Sequence, residues 1–473
     1  MVRAELHALL LLAIISASFA TYCPGRAVYK VSFQGEWQSG ESPTTSGSGE
    51  NVGKSSQQSH DFPQGAMFSP FAFASHNREY SMWRPRSMAS KGVQDVAEKG
   101  DNAQLLEELE TKKSQGEGVG YIKSHNKEVP ASGEFVTYVS TDPYFPLVSF
   151  VSMLTPSPDW FIGVYNLDLC ITEAMTWFKR RTVDLYAWDA GTDSGKNFTA
   201  DDYPTDPQTN ITLLKRSNDP MSSFHDSDGE SEYIPRFGTI QFDLVNVTDG
   251  EQRVCRALGD QLYYFNFTGL WTQKNHPDLD IPKDANFSMA IVTSHSSEFV
   301  LWAPDTVDEE SESTHGIASF EHGDFIAANG TSEAVLVINN DFHYISASAK
   351  LTPSPDWYIG ISSINVCDGY FWKDELEFYL QPWDAGTHDG KTFVGQPDET
   401  KPQGIISRIT TDTWGPFINP ARQHIEPLGV IKLVRIRDPQ KDYETFLQTW
   451  KSALNEYQDE LEKWKAEECN AAE

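Results

Sequence analysis

Five cysteines in 473 residues are too few for a disulfide-dense scaffold. None sits in a CxxC or beside an HxxxH, which removes the common zinc frameworks. Positive charge is also short: 37 Lys and Arg stand against 68 Asp and Glu, a formal net charge of −31. Such a surface repels phosphates, so nucleic acid is not an expected partner. No stretch approaches 18 apolar residues, so no transmembrane helix is expected, and the polar C-terminal region carries no GPI-type signal. G-x-S-x-G, H-E-x-x-H and P-loop patterns are missing, none of the 12 histidines sits in a nucleophile or zinc signature, and there is no RGD tripeptide. Helical periodicity is scarce, with one candidate at Asp101 to Lys113 capped by Asp101.

Residues 1–20 read as a secretory signal peptide. Arg3 precedes an apolar run from Ala8 to Ile15, and Ser18 and Ala20 sit at −3 and −1 of a cleavage position. The exported compartment this implies permits disulfides and N-glycans. Six N-x-S/T sequons follow, at Asn197, Asn210, Asn246, Asn266, Asn286 and Asn329. Polar stretches at Gln38 to His60, Asn218 to Glu232 and Asp305 to Thr314 read as solvated loops.

The chain repeats itself. "LTPSPDWFIGV" at Leu154 returns as "LTPSPDWYIGI" at Leu351, and "YKVSFQGEW" at Tyr29 returns as "YYFNFTGLW" at Tyr263. Trp83-x-Pro85 answers Trp302-x-Pro304, "EKGD" at Glu98 answers "EHGD" at Glu321, "AWDAGT" at Ala187 answers "PWDAGT" at Pro382, and "GTIQFDLV" at Gly238 answers "GVIKLVRI" at Gly429. Matches in this order define two copies of one domain, 21–246 and 250–437. Tyr29, Val31 and Phe33 alternate with polar residues, as do Tyr263, Phe265 and Phe267, so each copy reads as antiparallel β-sheet with one face buried. Short strands broken by Gly, Pro and Asp clusters point to an all-β sandwich.

The repeat also orders the cysteines. Cys23 and Cys255 precede the first strand of each copy, and Cys170 and Cys367 each follow a corner aspartate by 11 residues. Other pairings are open to five cysteines, but the repeat favours Cys23–Cys170 and Cys255–Cys367, each closing a loop of over a hundred residues and contributing a few kcal/mol. Cys469 is left over.

Each PSPDW corner holds an aspartate at a strand end: Asp159 in copy 1, Asp356 in copy 2. Asp189 and Asp193 of "WDAGTDSG" and Asp384 of "WDAGTHDG" follow at matched spacing. Carboxylates meeting at one end of a sandwich repel unless a cation lies between them, and Ca2+ takes carboxylate and carbonyl oxygens in irregular loop geometry. The alternative is that these aspartates only cap turns by accepting backbone amides. In copy 2, His388 stands where copy 1 has Asp193, with Asp389 next to it. That copy either uses Asp389 after a small loop shift, binds calcium weakly, or does not bind it. As acid–base catalysts the aspartates look unsuited, because a Pro/Gly loop offers no apolar pocket to raise a pKa. An enzyme is not expected.

The PSPDW corner, the following "DLC", "WDAGTDSG", Trp83-x-Pro85 and "FSPF" at Phe68 together resemble the spondin domain family (F-spondin/mindin-like), over 21–437 as two copies. The resemblance implies two tandem antiparallel C2-like β-sandwiches in a secreted matrix protein, with one calcium ion held by end loops. The family's calcium-binding aspartates fall on Asp159, Asp189 and Asp193. Thrombospondin type 1 repeats, which usually follow in this family, would need dense cysteine, and none is seen, so attachment through them is not assumed.

Residues 438–473 change character. Asp438 and Pro439 open a helix pattern in which Tyr443, Trp450, Tyr457 and Trp464 recur every seven residues, with Leu447, Leu454 and Leu461 between them. This amphipathic helix either docks on the second sandwich or drives a homodimer that Cys469 locks. The expected function is that of a non-enzymatic, calcium-binding adhesion module whose partner is an extracellular-matrix or cell-surface protein or a glycan. The second reading is calcium-dependent binding to a membrane surface or carbohydrate, with Trp160 and Trp188 as candidate loop-tip anchors.

Overall fold

The computed structural model describes residues 23–37, 63–215, 218, 234–248, 254–277, 279–307, 317–322, 325–395, 398–411, 415–417 and 425–437. The leader segment, the Gln38 to His60 stretch, most of the other two polar stretches, and the helix pattern of 438–473 with Cys469 lie outside the described residues.

Each copy folds as two facing antiparallel sheets. The smaller sheet of copy 1 orders its strands Arg180–Leu185, Gly238–Thr248, Arg26–Gly35, Glu134–Thr141. Copy 2 repeats that order with Glu375–Leu380, Gly429–Ile436, Gln261–Gly269, Thr331–Ile338. The alternation read from sequence is the cause. Tyr29, Val31, Phe33, Ile240 and Phe242 point inward and are at most 2% exposed, as are Tyr263, Phe265, Phe267, Ile431 and Leu433. The larger sheet centres on the hairpin of Leu147–Thr155 and Trp160–Asp168, answered by Tyr344–Thr352 and Trp357–Asn365. The PSPDW corner is the turn of that hairpin in both copies.

Smaller details repeat too. The buried Tyr29 hydroxyl donates to the Phe178 carbonyl at 2.8 Å, and Tyr263 donates to the Lys373 carbonyl. Trp83 Nε1 donates to Phe150 O and Trp302 Nε1 to Ala347 O. The disulfides Cys23–Cys170 and Cys255–Cys367 form as the repeat suggested.

Copy 1 carries a third layer that period-two alternation could not announce. Helices α1 (Lys91–Lys99) and α2 (Ala103–Ser114) form a pair packed on the outer face of its larger sheet. Ser90 caps α1, its Oγ accepting from Val93 N–H, and Gly100 closes it in the left-handed conformation. The N-cap position of α2 is Asn102 rather than the expected Asp101, and its side chain makes no capping bond; Asp101, one residue further out, accepts the Ala103 N–H at 2.9 Å. Val93, Val96, Leu105 and Leu109 share one buried cluster with Trp83, from the loop ahead of α1, and with Phe161 and Trp188 of the sheet. This explains why both central strands of that sheet are buried on both faces.

In copy 2 the equivalent aromatic face, Trp302, Tyr358 and Trp383, is covered by copy 1 instead. A hairpin of copy 1 (Cys170–Ile171 with Thr176–Trp177) and the turn at its tip, Thr172–Ala174, bring Ile171, Ala174 and Phe178 onto that face and Met175 into the copy 2 core. Glu173 stands at the tip. It receives both terminal nitrogens of Arg408 at 2.9 Å and the Gln381 N–H at 3.0 Å, while Arg408 lies over the Trp383 ring at 4.3 Å.

A buried histidine also repeats. His76 Nε2 meets Ser149 Oγ at 2.7 Å and His295 Nε2 meets Ser346 Oγ at 2.8 Å, each serine also taking an N–H from a residue of positive φ, Asn166 or Ser363. All four side chains are solvent-excluded. Burial holds both imidazoles below their ordinary value of 6.5, against the raising effect of a neighbouring backbone carbonyl. The unfolded chain protonates near 6.5 while the native histidines resist. Their stability contribution is therefore complete above that pH and declines as pH falls through the depressed native values. Melting temperature is expected to drop from pH 7.5 to 5, and His76→Gln, which cannot titrate, is expected to reduce that drop. An unchanged slope would show the imidazole to be solvated.

Candidate metal centre

The corner and the WDAGT loop meet at one end of each sandwich. In copy 1 the Ser157 hydroxyl takes the Trp160 N–H at 3.1 Å, which fixes the turn and points Asp159 inward, 0% exposed. One carboxylate oxygen of Asp159, Oδ2, accepts from Thr192 N at 2.7 Å, Thr192 Oγ1 at 3.2 Å and Asp193 N at 3.0 Å. Gly191, at φ 72°, makes the tight turn that aims these donors, and a Cβ there would meet Thr209 O at 2.5 Å. The other oxygen, Oδ1, is buried with no hydrogen-bond partner. The turn-capping role weighed from sequence is therefore real for one oxygen and leaves the second unaccounted for.

Asp189 and Asp193 complete the group. Asp189 Oδ1 accepts from Gly191 N at 2.7 Å. Asp193 accepts from Gly195 N at 2.6 Å and Tyr203 N at 2.8 Å. Burial and then the charge of Asp189 push the Asp159 carboxyl well above the usual range, and burial followed by Asp193 does the same to Asp189 despite the opposing Gly191 N–H. The sequence-based expectation that these loops offer no environment to raise a carboxyl pKa is corrected: the loops close over the aspartates and bury them. Spacing also missed Asp202, whose exposed carboxyl is raised by the neighbouring Asp193. Its signal was only a second Asp pair in the loop that returns to bridge Asp193 with Pro204.

Copy 2 rebuilds the frame. Asp356 Oδ2 accepts from Thr387 N at 2.7 Å, Thr387 Oγ1 at 2.9 Å and His388 N at 2.9 Å, and Asp356 Oδ1 is again buried without a partner. Asp384 Oδ1 accepts from Gly386 N at 2.7 Å and Oδ2 from Trp357 Nε1 at 3.2 Å, and burial lifts its carboxyl to about 6. His388 stays in register with Asp193, bridging Glu399 as Asp193 bridges Pro204, and its ring nitrogen turns to Thr387 Oγ1 at 3.0 Å. Asp389 takes the place of Ser194, its N–H bound to Asp398 O and its side chain exposed. There is thus no loop shift that substitutes it for Asp193.

Among the described residues, no three His, Cys, Asp or Glu side chains converge closely enough to hold a metal by themselves. Any ion here must draw on backbone carbonyls and water besides Asp159 and Asp189. Trp160 and Trp188 are at most 1% exposed and cannot act as loop-tip membrane anchors. Of the sequon asparagines, Asn197, Asn210, Asn246 and Asn329 are exposed, while Asn266 and Asn286 are half-buried on strands.

The Spondin_N family profile matches residues 27–233 and 304–427, more than half of the chain and both copies. The chain belongs to the Spondin_N family. It is 33% identical to Spondin-2 of Rattus norvegicus over 201 residues, 42% of this chain and 56% of that protein. It is 33% identical to human Spondin-2 over 207 residues, 43% of this chain and 58% of that protein. Against Spondin-1 of Gallus gallus the identity is 33% over 215 residues, 44% of this chain and 24% of that protein. The match thus spans a little over half of the Spondin-2 relatives and a quarter of Spondin-1. Family membership places this Spondin_N protein outside the cell, the compartment in which its two disulfides persist.

Proposed function

We propose that this Spondin_N protein is a secreted, non-enzymatic adhesion module of the extracellular matrix whose copy 1 end loops bind calcium. The observation that supports the metal is the lone Asp159 Oδ1, buried beside a second carboxylate. A buried anion without a partner is costly. Desolvation with mutual repulsion leaves the pair short of positive charge, and a calcium ion would supply it. Asp159 and Asp189 would be the side-chain ligands, with Asp193 and Asp202 at the outer edge. Thr192 and the Asp193 amide hold Asp159 so that its second oxygen stays free. Bound this way, the corner, the WDAGT loop and the returning 202–205 segment would be clamped into one rigid tip. A rigid end is what an adhesion module presents to a matrix or cell-surface protein or a glycan. Copy 2 keeps the Asp356–Asp384 half of the group without the outer carboxylate, which favours weaker binding there.

The non-enzymatic reading rests on the serine–histidine pairs. Ser149–His76 and Ser346–His295 are the arrangements nearest to a nucleophile with its base, and both are closed to solvent.

Thermal unfolding in calcium against EGTA tests the metal. Calcium at about 100 times its Kd is expected to add about 2.7 kcal/mol to copy 1. Asp159→Asn and Asp189→Asn are each expected to abolish that gain while raising the stability of the metal-free protein, since each removes a repelling charge. No gain at millimolar calcium sinks the site.

A further inference from the structure

The outer face of the smaller sheet differs between the copies in a way the repeat makes legible. In copy 2, Leu262, Tyr264, Val335, Val337, Val434 and Ile436 form one apolar block across three adjacent strands. Leu262 is paired with Val337 and Ile436, and Tyr264 with Val335 and Val434. Leu262, Val335, Val337 and Ile436 are 43–46% exposed. In copy 1 the register keeps Val28 and the exposed Tyr138 in the places of Leu262 and Val335, but puts Lys30 in the place of Tyr264, Ser140 in the place of Val337 and Asp243 in the place of Val434, and Asp243 is paired with Arg180 at 2.5 Å. One fold, duplicated, has this face broken by charged and polar residues in one copy and continuously apolar in the other. Fold requirements cannot account for that difference, and an apolar block of this kind marks a surface that is covered in use.

We propose that the cover is this chain's own segment 438–473, laid as an amphipathic helix on the outer face of the copy 2 sheet. The strand Gly429–Ile436 ends on the block itself, because Ile436 is part of it, and the segment continues from Arg437 without interruption. The apolar seam from Tyr443 to Trp464 begins only a few residues on, within about 20 Å of extended reach. As a helix it is about 33 Å long, enough to run the length of an eight-residue strand of about 27 Å. Only copy 2 has the apolar block, and only copy 2 is followed by such a seam; the last strand of copy 1 leads instead to the next sandwich. Three heptads are short for a self-standing coiled coil, so the seam needs a preformed apolar surface.

The test uses the full chain carrying p-benzoylphenylalanine at Val335. On irradiation at low concentration, a cross-link within one chain to a peptide from 443–464 is expected. A product of doubled mass under reducing conditions means a second copy covers the face, and a product lacking that peptide means another occupant; either overturns the proposal. Independently, Val335→Asp in the full chain, shown folded by its circular dichroism, is expected to speed tryptic cleavage at Lys451 and Lys463 by about tenfold, as undocking exposes the segment. Unchanged cleavage in the folded variant would equally overturn it.

Discussion

Glu173→Ala is expected to destabilise the protein by about 3–5 kcal/mol, the range for stranding one partner of a buried ion pair. Glu173 and Arg408 side chains are 3% and 10% exposed, and they meet through two parallel N–H···O bonds across the junction of the copies. Removing the carboxylate leaves a guanidinium between the Trp383 ring and the apolar residues of the junction, and strips the Gln381 N–H of its acceptor. A cleft of about 530 Å3 between the copies is walled by the same two residues, so water entry should hold the loss toward the lower end of the range. The double variant Glu173→Ala/Arg408→Leu removes both charges and is expected to recover most of the stability, giving a large coupling energy in a denaturant-based double-mutant cycle. Because each sandwich has its own core, the single variant should also split one calorimetric transition into two. A cost under about 1 kcal/mol would mean that the pair is solvated in solution and the copies are not docked.

That junction marks the limit of what the amino-acid sequence discloses. Duplication exposed the strands, the corners and the cysteine pairing, because a feature present twice at equal spacing can be recognised without knowing its partners. What copy 1 has alone was harder to read. Cys170 to Trp177 is two residues longer than Cys367 to Trp372, and the surplus is the turn that holds Glu173. The length difference was visible, but nothing local says that the extra turn plugs the other copy, since contacts between domains leave no periodicity. Helix α1 was missed for a related reason. Its nine residues carry a weak apolar stripe of Val93, Val96 and Ala97, and only the sheet beneath makes that stripe sufficient. At the metal centre, spacing found Asp159, Asp189 and Asp193 but misjudged their surroundings, because burial of a loop depends on the loops that close over it. His388 shows the opposite case: its register with Asp193 follows directly from the repeat.

Removing the first disulfide should matter beyond its own copy. In the chain-entropy picture Cys23–Cys170 and Cys255–Cys367, with sequence separations of 147 and 112, each contribute about 4–5 kcal/mol, because loop length enters only logarithmically. Unfolded-state constraint alone therefore predicts that Cys23→Ala/Cys170→Ala and Cys255→Ala/Cys367→Ala cost nearly the same. The native structure breaks that equality. Cys170 is the first residue of the hairpin that delivers Glu173 to Arg408, and the same hairpin is otherwise tied to copy 1 by Trp177 Nε1 donating to Pro24 O at 2.8 Å and Tyr29 donating to Phe178 O. Pro24 follows Cys23 directly, so losing the bridge frees the chain start and the Trp177 tie together. Losing Cys23–Cys170 should then lower the midpoints of both copies in a urea titration. Losing Cys255–Cys367 should lower that of copy 2 alone, since the tip of its own hairpin, Gly369 and Tyr370, packs on Arg256 of the same copy. Combining the first pair of substitutions with Glu173→Ala should cost less than the sum, because a hairpin that has lost its anchor no longer holds the glutamate in place. Strict additivity of those three substitutions would show that the bridge acts only on the unfolded chain and has no part in joining the two sandwiches.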